Sequence, residues 1–115
     1  MGSKYVDTTA VMQVIGCVFN NPRLLEITDK YSIVDEDFAD TFHKTVFGAI
    51  YKIHELGANK ITLESLSDFF SSRPKSAAVY KQGKGEEWLL KISENCMPSA
   101  FDYYYGRLKK FSLLR

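Results

Sequence analysis

Apolar residues recur along this chain at three- and four-residue spacing, in blocks divided by capping residues and helix breakers. The strict alternation of a half-buried strand is found nowhere. The first block follows Asp7, a good N-cap residue, and carries Val11, Val14, Ile15, Val18 and Phe19 on its apolar side. Gly16 within it lowers helix propensity by about 1 kcal/mol relative to alanine, so this position predicts the close approach of another helix. Asn20-Asn21-Pro22 ends the block and opens a second helix, with Asn21 as cap and Pro22 at the first helical position. Leu24, Leu25 and Ile27 form its apolar side. After a connection over 31–37, Asp40 caps the longest periodic segment. Phe42, Val46, Phe47, Ala49, Ile50, Ile53 and Leu56 make its wide stripe, and Gly57 stands where a left-handed C-cap residue belongs.

Thr62 then caps a helix carrying Leu63, Leu66, Phe69 and Phe70. The stretch SSRPKSAAVYKQGKG, residues 71–85, predicts a mobile surface loop with one short turn around Ala77–Tyr80. Helix resumes at the acidic pair Glu86-Glu87 and buries Trp88, Leu89 and Ile92 until Pro98 breaks it. Ser99 followed by Asp102 resembles a capping box and starts the last helix. That helix has two stripes: Phe101, Tyr104, Tyr105, Leu108 and Phe111 on one, and Tyr103, Arg107, Lys110 and Leu114 on the other. The pattern predicts an all-α fold of about six helices: a globular bundle over about 7–85 and a C-terminal helical hairpin over about 86–115, joined at Met97-Pro98.

Five of the sixteen aromatic residues lie in the last helix, more than one face can use. One stripe can dock on the domain itself, and the other then needs a second surface, where tyrosine suits a partly wet interface. Two-fold pairing is the commonest way to cover such an excess, burying roughly 800 Å² per protomer in a standard interface. The expected anchors are Trp88, Tyr103, Tyr104, Tyr105, Leu108 and Phe111, some of them turned toward the local core.

Length and composition add boundaries. The chain has 115 residues, one domain by size, and a net charge of +1, so no global charge points to nucleic acid. Cys17 and Cys96 lie far apart without metal-like spacing and read as small buried hydrophobes rather than a disulfide. No apolar run reaches the ~18 residues of a membrane span. Met1-Gly2-Ser3 does not start a myristoylation signal, because Val6 occupies the position that needs Ser or Thr. A cytoplasmic protein is expected.

Chemistry is sparse. His43 and His54 fall on one predicted helix ~16 Å apart along its axis, too far to share a metal ion or form a catalytic pair. Asp35, Glu36 and Asp37 suit a solvated loop or helix start, and Glu64 and Asp68 suit surface decoration. There is no phosphate-cradling P-loop. No catalytic, metal or cofactor site is expected. Arg107, Lys109, Lys110 and Arg115, with Lys81 and Lys84, form a modest basic set among tyrosines, the combination that can hold a single strand. Snorkelling lysines on a solvated helix are the plainer reading.

The order of these segments resembles the N-terminal domain of the DnaB-type replicative helicases of bacteria and phages. The resemblance is carried by AVMQVIGCVFNNPRLL, by DEDFADTFHKTVFGAIYKIHELG with Phe38, His43, Val46-Phe47 and Gly57, and by KITLESLSDFF. It continues through GEEWLLKI, with Gly85, Trp88, Leu89 and Ile92, and through Pro98-Ser99-Ala100, Tyr104 and Leu113-Leu114-Arg115. Thr9, Val11 and Lys84-Gly85 depart from the pattern and mark a divergent, phage-type member. The resemblance implies a non-catalytic collar that pairs subunits as dimers within a hexamer and receives a primase or helicase loader. ATP and Mg would belong to a motor domain reached through a linker starting near Arg115. Two other readings stay open: an adaptor module of another replication protein, and a small single-stranded-DNA-binding domain.

Overall fold

The Asp7 carboxylate accepts a hydrogen bond from the Ala10 N–H at 3.0 Å, and this cap starts α1, Thr8–Asn20. The computed structural model describes residues 7–114; the expectations placed on Met1-Gly2-Ser3 and on Arg115 lie outside them. Five more α-helices follow: α2 (Thr41–Glu55), α3 (Leu63–Ser71), α4 (Pro74–Gln82), α5 (Gly85–Asn95) and α6 (Phe101–Leu114). Three 3-10 turns, Pro22–Glu26, Asp35–Asp37 and Pro98–Ala100, complete an all-α fold with no strand among the described residues.

Two further caps form where the sequence places them. Asp40 accepts from the Phe42 N–H at 2.8 Å, and Thr62 accepts from the Ser65 N–H at 3.0 Å. Gly57 leaves α2 at φ +115°, a conformation that side chains rarely adopt.

The core is organised around α1. Ala10, Val11, Val14, Ile15, Cys17, Val18 and Phe19 are all buried. Both α5 and α6 pack on α1, α2 also touches it, and α3 and α4 pack on α2 and on each other. The two closing helices lean on α1 and touch each other little. Their residues Leu89, Ile92, Phe101 and Leu108 join the same hydrophobic cluster as α1 and α2. Gly16 makes this arrangement possible: a Cβ there would sit 2.8 Å from the Ile92 carbonyl oxygen, so α5 presses its backbone against α1 at that point.

Four local expectations are corrected. The stretch over 71–85 is helical rather than a loop, because Pro74 opens α4 at its first turn and Tyr80 is buried against Phe70, ring centroids 4.6 Å apart. Gly85 then crosses the Tyr80 ring so closely that a Cβ would lie 2.2 Å from it. The second helix is only the 3-10 turn Pro22–Glu26; Asn21 makes no side-chain cap, and Ile27 is exposed. Leu56, at the C-cap of α2, is 74% exposed and leaves the stripe. Ser99 and Asp102 form no capping box, since the 3-10 turn Pro98–Ala100 leads into α6 and Asp102 bonds elsewhere.

Two glycine substitutions should separate close packing from propensity. Gly16→Ala should cost about 1–3 kcal/mol in urea unfolding, because the added methyl overpacks the α1–α5 contact. Gly48→Ala, within α2 and with nothing within 4 Å of its added Cβ, should instead stabilise by about 0.5–1 kcal/mol.

Candidate interaction surface

One strip of α6, read at three- and four-residue steps as Asp102, Tyr105, Lys109 and Ser112, faces the segment over 30–37. The Tyr31 hydroxyl donates to Asp102, and Lys30 lies 3.3 Å from the same carboxylate. The Ser32 N–H donates to the Tyr105 hydroxyl at 2.8 Å. Lys109 Nζ donates to the Ser32 carbonyl at 2.7 Å and to both Asp37 oxygens at 3.1 and 3.0 Å. Ser112 Oγ donates to the Glu36 carbonyl at 3.4 Å. Asp37 is only 2% exposed and also accepts from the Val34 N–H at 2.9 Å, so Lys109 neutralises a buried carboxylate. Tyr31 fills the space beneath, edge-on to Phe101 and Tyr105 at 4.8 and 5.1 Å.

On its next face α6 is fastened to α1. Arg107 Nε donates to Asp7 at 2.5 Å, linking α6 to the cap of α1. Burial acts to raise the Asp7 carboxyl, but the hydrogen bonds from Arg107 and the Ala10 N–H outweigh it and hold the group below its ordinary value. Asp102 is lowered as well, chiefly by the Tyr31 hydroxyl.

The six anchors expected from sequence therefore divide. Leu108 is 3% exposed and belongs to the chain's own core, so it offers nothing to a partner. Trp88 is half-buried, edge-on to Phe42 at 5.0 Å and stacked on His43 at 5.3 Å. Tyr104, Tyr105 and Phe111 are half-buried, and the Arg107 guanidinium covers the Phe111 ring at 5.1 Å. Tyr103 alone of the six stands well exposed, at 62%. The end of α6 adds Leu113 and Leu114, 86% and 51% exposed. Leu90 and Met97, which the sequence did not single out for exposure, are also open. The second stripe of α6 is thus a solvent face, with Tyr103, Lys110 and Leu114 exposed and Arg107 tied to Asp7.

The basic set loses most of its coherence. Arg107 and Lys109 are held in intramolecular ion pairs, whereas Lys81 and Lys84 lie on α4 and its exit beside an open cavity of about 630 Å³. The cavity has Phe70, Pro74 and Ala77 in its lining, with Tyr80, whose phenol is pushed up to about 12, first by burial and then by Glu86. Sequence reasoning missed this cavity because it read α4 as loop.

The histidines serve different places. His43 is held below its ordinary value by burial, and its Nδ1 is buried without a partner. His54 Nδ1 lies 2.7 Å from the Ala58 carbonyl oxygen, and Nε2 lies 2.8 Å from Glu26. Among the described residues no group of three or more His, Cys, Asp or Glu is arranged to hold a metal ion. No helix among them is long and apolar enough to cross a membrane.

Residues 3–110 match the family model described as DnaB-like helicase N terminal domain. The chain belongs to that family. It is similar to the SPbeta prophage-derived uncharacterized protein YorI of Bacillus subtilis (strain 168), with 33% identity over 109 residues. That match covers 95% of this chain and 22% of the relative, so the chain spans about a fifth of that protein's length. No solved structure matches it. The matched family is that of a helicase N-terminal domain.

Two measurements test the ties on α6. Removing Lys109 leaves the buried Asp37 carboxyl without its cation, so Lys109→Met should lower unfolding stability by about 2 kcal/mol; adding Asp37→Asn should restore part of it in a double-mutant cycle.

The second concerns pH. Because the Asp7 carboxyl is lowered on folding, its stabilisation is complete above the ordinary carboxylate value and is lost as pH falls through the lowered native one. Asp7→Asn keeps a good capping side chain but removes the charge. The melting temperature of the variant should fall less steeply with acidification than that of the wild type.

Proposed function

We propose that this domain is the assembly and docking module of a replicative helicase, pairing with a second copy through the outer face and C-terminal end of α6. One observation carries the reading. Tyr103, Leu113 and Leu114 project from a helix that Arg107 and Lys109 already bond to the domain. Exposed apolar side chains on a fixed helix are suited to a two-fold contact, since the same patch meets itself. Leu90 and Met97 on the neighbouring segment are further apolar positions that a partner could cover.

In this reading the remaining surface docks a primase or a helicase loader. ATP and Mg2+ chemistry belongs to a motor domain elsewhere in the full protein. The hexamer is completed by that motor. Direct single-strand binding is disfavoured, because the two basic residues best interleaved with tyrosines, Arg107 and Lys109, are already paired.

Leu108 is unsuitable for testing association, because its substitution would damage the core. Tyr103→Glu combined with Leu113→Glu places charge on the exposed face alone. In sedimentation equilibrium the wild-type chain should show a concentration-dependent dimer, and the double variant should remain monomeric with unchanged far-UV circular dichroism. A wild type that stays monomeric at every concentration, or a variant that dimerises equally well, overturns the proposal.

A further inference from the structure

The close approach at Gly16 also brings together two thiols that the sequence keeps far apart. Cys17 is the next residue of α1, and Cys96 lies where the backbone leaves α5. A Cβ on Gly16 would lie 3.3 Å from the Cys96 Cβ, so Cys96 lies against α1 at this point. Both cysteines are free. Both also line one cavity of about 370 Å³, together with Asn20, Ser99, Phe101 and Asp102. That volume falls within the range of small-molecule sites, roughly 300–1,000 Å³.

The two sulfurs are not equivalent. Cys96 is half-buried, and its Sγ accepts a hydrogen bond from the Asn20 side-chain amide at 3.0 Å. The same amide lies 2.9 Å from the Ser93 carbonyl oxygen, which fixes its direction. Cys17 is buried, and burial, aided by the adjoining Cys96, pushes its thiol up to about 12. It is a poor nucleophile toward anything in solution but shares one cavity with Cys96.

We propose that Cys17 and Cys96 form a dithiol modification site that takes low-molecular-weight disulfides of the glutathione class and closes to an internal disulfide between α1 and the α5–α6 joint. Cys96 loses its proton to solvent, and its thiolate attacks one sulfur of the small disulfide. The Cys96–S–S–R bond forms as the reagent's S–S bond breaks, and one small thiolate departs. Cys17 then gives up its proton to solvent and attacks the Cys96 sulfur, expelling the second small thiolate. Two protein thiols are oxidised, and one small disulfide is reduced to two thiols. The second step is intramolecular, so proximity offsets the low thiolate fraction of Cys17. In a reducing compartment the pair rests as free thiols and responds to an excess of oxidised small thiol.

The test uses the whole 115-residue chain, native and reduced, exposed to oxidised glutathione and quenched with acid. Intact mass and peptide mapping under non-reducing conditions should show loss of two hydrogens and a Cys17–Cys96 linkage within one chain. Cys17→Ala avoids placing an unpartnered hydroxyl in the core, and it should stop at a stable adduct of one glutathione on Cys96. Cys96→Ala should resist modification over the same interval. The proposal is overturned if wild-type protein accumulates the glutathione adduct without closing, links two chains instead, or reacts only when denatured. The wild-type outcomes decide the matter even where a variant fails to fold, and they are independent of whether the domain dimerises.

Discussion

The fold depends on enclosing α1. Eight of its thirteen residues are buried, counting Gly16, and they lie around most of its circumference. A helix apolar on that scale cannot rest on a single neighbour and must be covered from several directions. α2 covers part of it, and α5 and α6 cover the rest. Two contacts set the distances: the missing side chain at Gly16, which lets the α5 backbone come in, and the Arg107–Asp7 pair, which fixes α6 to the α1 cap. With α1 serving as the common support of both closing helices, they do not need to satisfy one another. This accounts for two helices that are consecutive in sequence making little direct contact.

The sequence made the ends of the helices more legible than their partners. Asp7, Asp40 and Thr62 cap as expected because an N-cap is a local arrangement, completed by side chain and backbone within three residues. Asp102 shows where local reading fails. It has the spacing of a capping box, yet Tyr31 and Lys30, distant in sequence, take its carboxylate. The α4 segment fails for another reason. Its Pro, Ser, Lys and Gly composition is that of a loop, while its helix is supported by Pro74 at the first turn and by the Phe70–Tyr80 contact, which composition does not reveal. The cysteine pair was hidden in the same way, since only the tertiary approach at Gly16 makes neighbours of two isolated residues.

The candidate surface was legible in outline. Two stripes on the last helix were visible from spacing, and one of them is exposed. Which aromatic residues remain available was not visible, because availability depends on what the segment over 30–37 takes. That segment supplies Tyr31, Ser32 and Asp37, and these engage Asp102, Tyr105 and Lys109. Its own conformation contains a buried carboxylate, which is tolerable only with a cation against it. The polar residues of α6 therefore have a structural task, and solvent meets Tyr103 and the terminal leucines instead.

This division bears on the choice between self-assembly and single-strand binding. Holding a nucleic acid backbone requires cations free to displace counterions, and such binding weakens steeply as salt rises. The cations best placed among the tyrosines here are already neutralised by Asp7 and Asp37. Releasing them would expose a buried carboxylate and loosen α6, so the cost of nucleic acid binding at this face would fall on the fold itself. A contact through Tyr103, Leu113 and Leu114 makes no such demand. It is driven by apolar area removed from water and leaves every internal ion pair in place. The bonds that engage Arg107 and Lys109 also hold α6 in place, and a face held in place loses little conformational entropy when a second copy covers it.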